Sequence, residues 1–408
     1  MSFADLDQNQ QANLLYFLDK SDHHELNKLK HKYGVRQGRN AKEFRQNALN
    51  NLMTGCIPFD DFMSWLSHIY LEGNNMLFVY EPRNIDLFET NPINKVFNDT
   101  KDKIEHLYNI NVKTLKEVTL VNVQMDLAKS QLIFTFVSPS QVLVKNDETN
   151  SWESQDDIYM SYVIMDYKLK HFVLVMHPTE HLVSVCGIKK KEWDELTWIL
   201  MKRFRETVIK FDFSNPEWII DTLFKLTEEY FYHNNPVVDE KLRNFEHTVM
   251  PKLIKSMVDS DIAFKRKGYP ARFKKALLKT YENELIIAYG RIEKPQPFEI
   301  FLHKSDKGST EFKANSRGNA FSYAECAEII RLMWENGEIA ALGIIHKLDD
   351  NGVIRKYPYV ISKKDKYYSL KRTTTATTVK EVMDNVLRKL NSYKQEVQPS
   401  FTGVAESE

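Results

Sequence analysis

Only three cysteines, Cys56, Cys186 and Cys326, occur in 408 residues, far apart and with no C-x-x-C pair. That spacing indicates neither a disulfide framework nor a cysteine zinc site, and a reducing compartment is expected. The opening stretch MSFADLDQNQ is polar and acidic, unlike a secretory leader. No apolar run approaches the roughly 18 residues that a spanning helix requires, so no membrane partner is expected and the protein is read as cytoplasmic. The phosphate-cradling patterns G-x-x-x-x-G-K-[ST] and G-x-G-x-x-G are missing, as is the G-x-S-x-G nucleophile elbow. Net charge is lacking too, since 56 Lys and Arg balance 56 Asp and Glu. A neutral chain exerts no global pull on nucleic acid or acidic lipid.

What is present is a globular composition with its charge segregated. Apolar residues make up 42% and aromatics 12%, enough for sizeable cores in two or three domains. Residues 1–239 carry 26 Lys and Arg against 34 Asp and Glu, while residues 240–408 carry 30 against 22. Such a dipole suits a one-sided surface for an anionic partner, and equally two oppositely charged domains that dock or self-associate.

The periodicities imply an α+β fold. Residues 10–80 read as helices, with Leu26, Leu29 and Tyr33 at helical spacing before Gly34, then "AKEFRQNALNNLM" and "DDFMSWLSHIYLEG". Residues 117–186 read as an antiparallel sheet of "QLIFTFV", "QVLVK", "IYMSYVIMDY" and "KHFVLVMH", with "KNDETNSWESQDD" as an exposed acidic loop. Helix returns over 191–255, where Trp193, Leu196, Leu200, Phe204 and Val208 share a face and "SNPEW" opens a new helix. A helix is expected over 271–289, then a hairpin "FEIFLHKSDKGSTEFKA" and a helix capped by Ser322 and Glu325. A second hairpin turns at Asn351-Gly352, and a last helix spans 378–395. The expected organisation is a helical domain at 1–82, a sheet with helix at 83–212, a helical connector at 213–290, an α/β hairpin domain at 291–396 and a loose tail at 397–408.

Two short patterns suggest catalysis. "HPTEH", from His177 to His181, fits the H-x-x-E-H arrangement, whose chemistry needs both imidazoles one helical turn apart beside a glutamate. Here strand-like runs flank it and Pro178 interrupts it, so a hairpin tip without a shared metal is expected. "EFK" places Glu311 and Lys313 on one side of a strand. With Glu299 on the partner strand and Asp306 at the tip, it resembles loosely the core of a PD-(D/E)xK nuclease, which implies Mg²⁺ as cofactor. It lacks that core's upstream aspartate and one strand. Outside that alternative no cofactor is expected.

The stretch "HHELNKLKHKYGVRQGRNAKEFRQNALNNLM" carries Leu26, Leu29 and Gly34, then Gly38, Arg39 and Phe44. It resembles a SAP-type helix–extension–helix module over about 30 residues. The resemblance implies backbone contacts to DNA from Lys32, Arg36, Arg39 and Arg45, since helix starts suit phosphate. Two expected aliphatic positions in its second helix are polar.

"FKRKGYPARFKK", residues 264–275, holds six basic side chains, three aromatic rings and no acid. Gly268 and Pro270 divide it into a loop and a helix start. Phe273, Leu277, Tyr281, Leu285 and Ala288 form an apolar stripe, which assigns Phe273 to the core. Lys265, Arg266, Lys267, Tyr269 and Arg272 then form a patch, with Lys275 and Lys279 further along, and Lys363, Lys364 and Lys366 as a possible extension. Cations at a helix start oppose the macrodipole, so a use for them is favoured. The reading is a non-catalytic protein that engages nucleic acid through its basic C-terminal half, suited to an accessory or defence role in a bacterial cell. The alternatives are the nuclease using Glu299, Glu311 and Lys313, and a protein scaffold that binds protein partners or its own copies.

Overall fold

A computed structural model of the chain describes residues 2–146, 149–266, 268–306, 311–316, 320–321, 338–350, 352–374 and 377–398. The fold is α+β, as the periodicities imply. The chain divides into two compact units, residues 1–219 with 359–408, and residues 220–358. The segments 1–82 and 83–212 both fall in the first. Among the described residues no helix is long and apolar enough to cross a membrane.

The first unit opens with α1 (Gln8–Asp19), α2 (His23–Tyr33), α3 (Ala41–Met53) and α4 (Phe59–Leu66). Aspartate or asparagine caps the first three: Asp7, Asp22 and Asn40 each accept from a backbone N–H three residues on. β1 (Met76–Tyr80) follows, although residues 10–80 were expected to be helical throughout. "MLFVY" is a short continuous apolar run, which periodicity alone cannot assign. Then come α5 (Leu87–Thr90), α6 (Ile93–Lys101), β2 (Thr119–Asp126), β3 (Gln131–Lys145), β4 (Trp152–Asp166), β5 (His171–Met176), β6 (Leu182–Val185), β7 (Ile188–Lys189) and α7 (Trp193–Thr207). Two strands read separately from sequence are one in the structure, β3. It pairs with β4 from Gln131↔Asp166 to Lys145↔Trp152, so most of the expected acidic loop is strand.

The second unit takes most of α8 (Trp218–Phe231), with α9 (Pro236–Asn244), α10 (Met250–Ser260) and α11 (Tyr269–Tyr289). β8 (Glu299–Asp306), β9 (Glu311–Asn315) and β10 (Glu338–Asp350) then form an antiparallel group ordered β10-β8-β9. Ser322, Glu325, Asn351 and the tail beyond 398 lie outside the described residues. β11 (Val353–Lys363) re-enters the first unit from Tyr359 and is followed there by β12 (Tyr368–Arg372) and α12 (Lys380–Val397).

Within the first unit the strand order is β7-β6-β3-β4-β5-β1-β12-β11, with β2 also on β3. Strand alternation gives the sheet two buried faces. Phe78, Tyr80, Phe134, Phe172 and Leu174 pack with Leu196, Leu200 and Phe204 of α7 on one face. Val121, Val137, Ile158 and Met160 pack with α1 to α4 on the other. α12 buries Val382, Val386, Leu387 and Leu390, and its Met383 and Leu387 face Leu77, Ile164, Val173 and Val175 of the sheet.

Candidate nucleic-acid interface

The basic stretch forms the turn of a helical hairpin made by α10 and α11. Asp261 accepts from Ala263 N at 2.8 Å and starts one 3-10 turn, Ile262–Lys265. Gly268 sits at φ +93, a left-handed conformation that a side chain would strain, and Pro270 fits the first turn of α11. The Arg272 guanidinium lies 4.6 Å from the centre of the Tyr269 ring, which meets Phe264 edge-on at 6.3 Å. Lys265, Arg266 and Arg272 are exposed, and none of the three has an acidic partner among the described residues. Lys267 lies outside them. Lys275 is also exposed, but Lys279 has its ammonium nitrogen out of contact with solvent and Lys274 pairs with Glu246 at 2.9 Å.

Phe273 is 37% exposed, which corrects its assignment to the core. The stripe is real, with Tyr281 stacked on Phe245 at 4.0 Å, but from Pro251 to Glu284 no described residue is buried. Burial resumes at Leu285 and Ile286, which meet Val238 of α9.

The helix–extension–helix comprises α2, the extended link and α3. Gly34, at φ +70, ends α2 by donating to Lys30 O at 2.9 Å. Gly38 is required for space: an added Cβ would lie 2.3 Å from Phe44 N. Arg36 and Arg39 are exposed on the link, as is Lys42 at the start of α3, which sequence reasoning did not single out. The other two carried-over cations are engaged internally. Lys32 reaches Asp61 at 3.4 Å, and Arg45 turns inward to donate to Ser21 O at 2.6 and 3.0 Å.

The candidate catalytic groups are not assembled. Residues 177–181 link β5 to β6, which lie on opposite sides of the β3–β4 pair, so the segment is a crossover and not the expected hairpin tip. His177 stacks on Tyr70 and bonds Asn75 at 3.1 Å, whereas His181 packs on Trp152. Glu299 begins β8 and is ion-paired with Lys347; Glu311 stands opposite Asp306 at the far end of that strand and meets Lys304 at 2.8 Å. Seven residues at about 3.3 Å each separate the two acids by roughly 23 Å, too far to share an ion. Lys313 is exposed, opposite Lys304 in register.

One group among the described residues brings metal-ligand atoms together: those of His24, Glu25 and Glu72 lie within 4.8 Å of one another. Its cation is already supplied. The Lys28 ammonium bridges Glu25 at 2.7 Å and Glu72 at 2.8 Å. Burial pushes the Glu25 carboxyl up to about 7 in spite of that lysine.

Two further features escaped the sequence reading. A cleft of about 620 Å³ is lined by Tyr80, Asp194, Glu195, Trp198, Lys366 and Tyr367. Lys366 lies 4.4 Å over Trp198, while Lys363 pairs with Glu217 at 3.1 Å and Lys364 with Asp194 at 3.6 Å. Those lysines are therefore largely engaged by their own surroundings. The second feature is a buried polar network beneath α12. Lys380 bonds Gln131 and, at 2.9 Å, Asp384; Lys129 reaches Asp384 at 2.7 Å, and Gln131 donates to Asp166 at 2.6 Å. His171 Nε2 is buried without a partner beside a cavity of about 10 Å³, room for roughly one water. No family model matches the chain, and no curated protein or solved structure matches it.

Proposed function

We propose that the protein is a non-catalytic nucleic-acid-binding protein whose contact surface is the turn of the α10–α11 hairpin. The observation that carries this reading is the set of three exposed cations, Lys265, Arg266 and Arg272, on one turn, with no acidic partner among the described residues. Other cations meet a carboxylate, among them Lys274 on the same helix and Lys304, Lys347 and Lys363 beyond it. Residues 250–284 carry nine Lys and Arg against four Asp and Glu, so the hairpin is locally basic in a neutral chain. Phosphate recognises such a surface through charge-assisted hydrogen bonds and release of condensed counterions. Arg36 and Arg39 on the N-terminal link, also exposed, would add contacts.

The test is a salt titration of binding to a labelled 20-mer duplex and single strand. Each phosphate contact contributes a slope of about −0.9 in log K against log[salt] for duplex, and about −0.7 for single strands. Lys265→Ala with Arg266→Ala and Arg272→Ala should flatten the duplex slope by up to about 2.7. Equal slopes for wild type and variant, or no binding by wild type at low salt, would refute the proposal.

A further inference from the structure

Ile262 is 80% exposed, more than any other large apolar side chain among the described residues. Scattered exposed aliphatics are ordinary, but this one occupies the tip of a hairpin beside Lys265 and Arg266, which have no acidic partner among the described residues. We infer that the tip recognises duplex nucleic acid, with Ile262 entering between base pairs as an apolar wedge while the cations hold the flanking phosphates. This inference rests on the nucleic-acid reading above.

The chemistry of the tip separates duplex from single strand. Proteins that hold single strands present open aromatic faces on which bases stack. Here the aromatics are engaged: Arg272 covers the Tyr269 ring, and Phe264 is half-buried against it. The exposed apolar group is aliphatic, and an aliphatic side chain offers no stacking platform. It can fill the gap at an opened base step, as wedge residues of minor-groove proteins do. Charge argues against a second copy as the occupant, since two hairpins each with nine basic and four acidic residues repel. A lipid surface calls for a continuous apolar face presented by the tip, whereas Ile262 is followed closely by Lys265 and Arg266, and the half-exposed stripe that begins at Phe273 runs along α11 away from the tip.

A duplex of 20 base pairs with a donor and an acceptor dye at its ends reports binding and bending together. Wild type should bring the ends closer, within the range of about 20–90° of bend known for wedges. Ile262→Ser should bind roughly tenfold more weakly, the order of an aliphatic side chain left unburied. It should lose the bend yet keep the wild-type salt slope, because no phosphate contact is removed. Ile262→Leu should restore both. Binding by wild type without a bend, or a bend unchanged in Ile262→Ser, would overturn the wedge and leave the nucleic-acid reading standing. Tighter binding to the single strand would overturn the duplex assignment. Ile262-dependent binding to phosphatidylserine vesicles without duplex bending would assign the tip to lipid. Loss of all binding at low salt would remove the underlying reading instead.

Discussion

Asp384→Ala should be among the most damaging single substitutions in the first unit. Asp384 is 7% exposed and accepts from both Lys380 and Lys129. Lys129 is partly exposed and can turn to water, so its loss is small. Lys380 is 9% exposed, and after the substitution its ammonium would keep only Gln131. Removing one partner of a buried ion pair costs about 3–5 kcal/mol, because the remaining charge stays desolvated. Lys380 can escape that cost by losing its proton. Burial already lowers its pKa in the wild type while Asp384 holds it up. From an unfolded value near 10.5, neutralising it at pH 7 costs about 5 kcal/mol, and at pH 9.5 only about 1.4 kcal/mol.

The sign of the pH dependence follows. In the variant the folded-state pKa of Lys380 is depressed further below the unfolded value, so the folded chain binds fewer protons and stability rises with pH. The deficit of Asp384→Ala relative to wild type should therefore be about 3–5 kcal/mol at pH 7 and shrink to about 1–2 kcal/mol by pH 9.5. Urea unfolding of both proteins at the two pH values, followed by far-ultraviolet circular dichroism, gives the comparison. A deficit below 1 kcal/mol at pH 7, or one that grows with pH, would refute the account of the network.

Phe273→Ala should cost less than about 2 kcal/mol, whereas Leu285→Ala, at 6% exposure on the same helix, should cost about 2–5 kcal/mol; equal costs would contradict the difference in burial between the two. Gly38→Ala should destabilise by about 1–3 kcal/mol or more, since its Cβ meets backbone at Phe44 and backbone cannot swing aside; an unchanged melting temperature would contradict that packing. Burial holds the His177 imidazole down to about 4, below its unfolded 6.5, so its share of stability is complete above pH 6.5 and lost as pH falls towards 4. His177→Phe, which keeps the stack on Tyr70, should remove up to about 2 kcal/mol of that acid sensitivity, measured as the difference in stability between pH 7.5 and pH 5.

What the sequence disclosed and what it hid divide by the range of the interactions. The hairpin turn was legible because it is local: Gly268, Pro270 and their basic neighbours lie within one short stretch. The same holds for Gly34, and for α7, whose stripe buries Leu196, Leu200 and Phe204. β1 was missed because its partners are β5 and β12, about a hundred and about three hundred residues away, and nothing in "MLFVY" names them. Phe273 was misassigned for a related reason. A stripe at helical spacing states which face is apolar, but whether that face is covered depends on a layer elsewhere in the chain. The network of Lys129, Gln131, Asp166 and Asp384 joins residues up to 255 apart, so no window could have found it. The same logic bears on function. Charges that look alike in sequence differ by their neighbours in space: Lys363 and Lys364 have carboxylates to meet, while Lys265, Arg266 and Arg272 have none among the described residues. Under the proposed reading, a phosphate would gain more at the hairpin turn than at Lys363 or Lys364, since there it would displace no ion pair of the described residues.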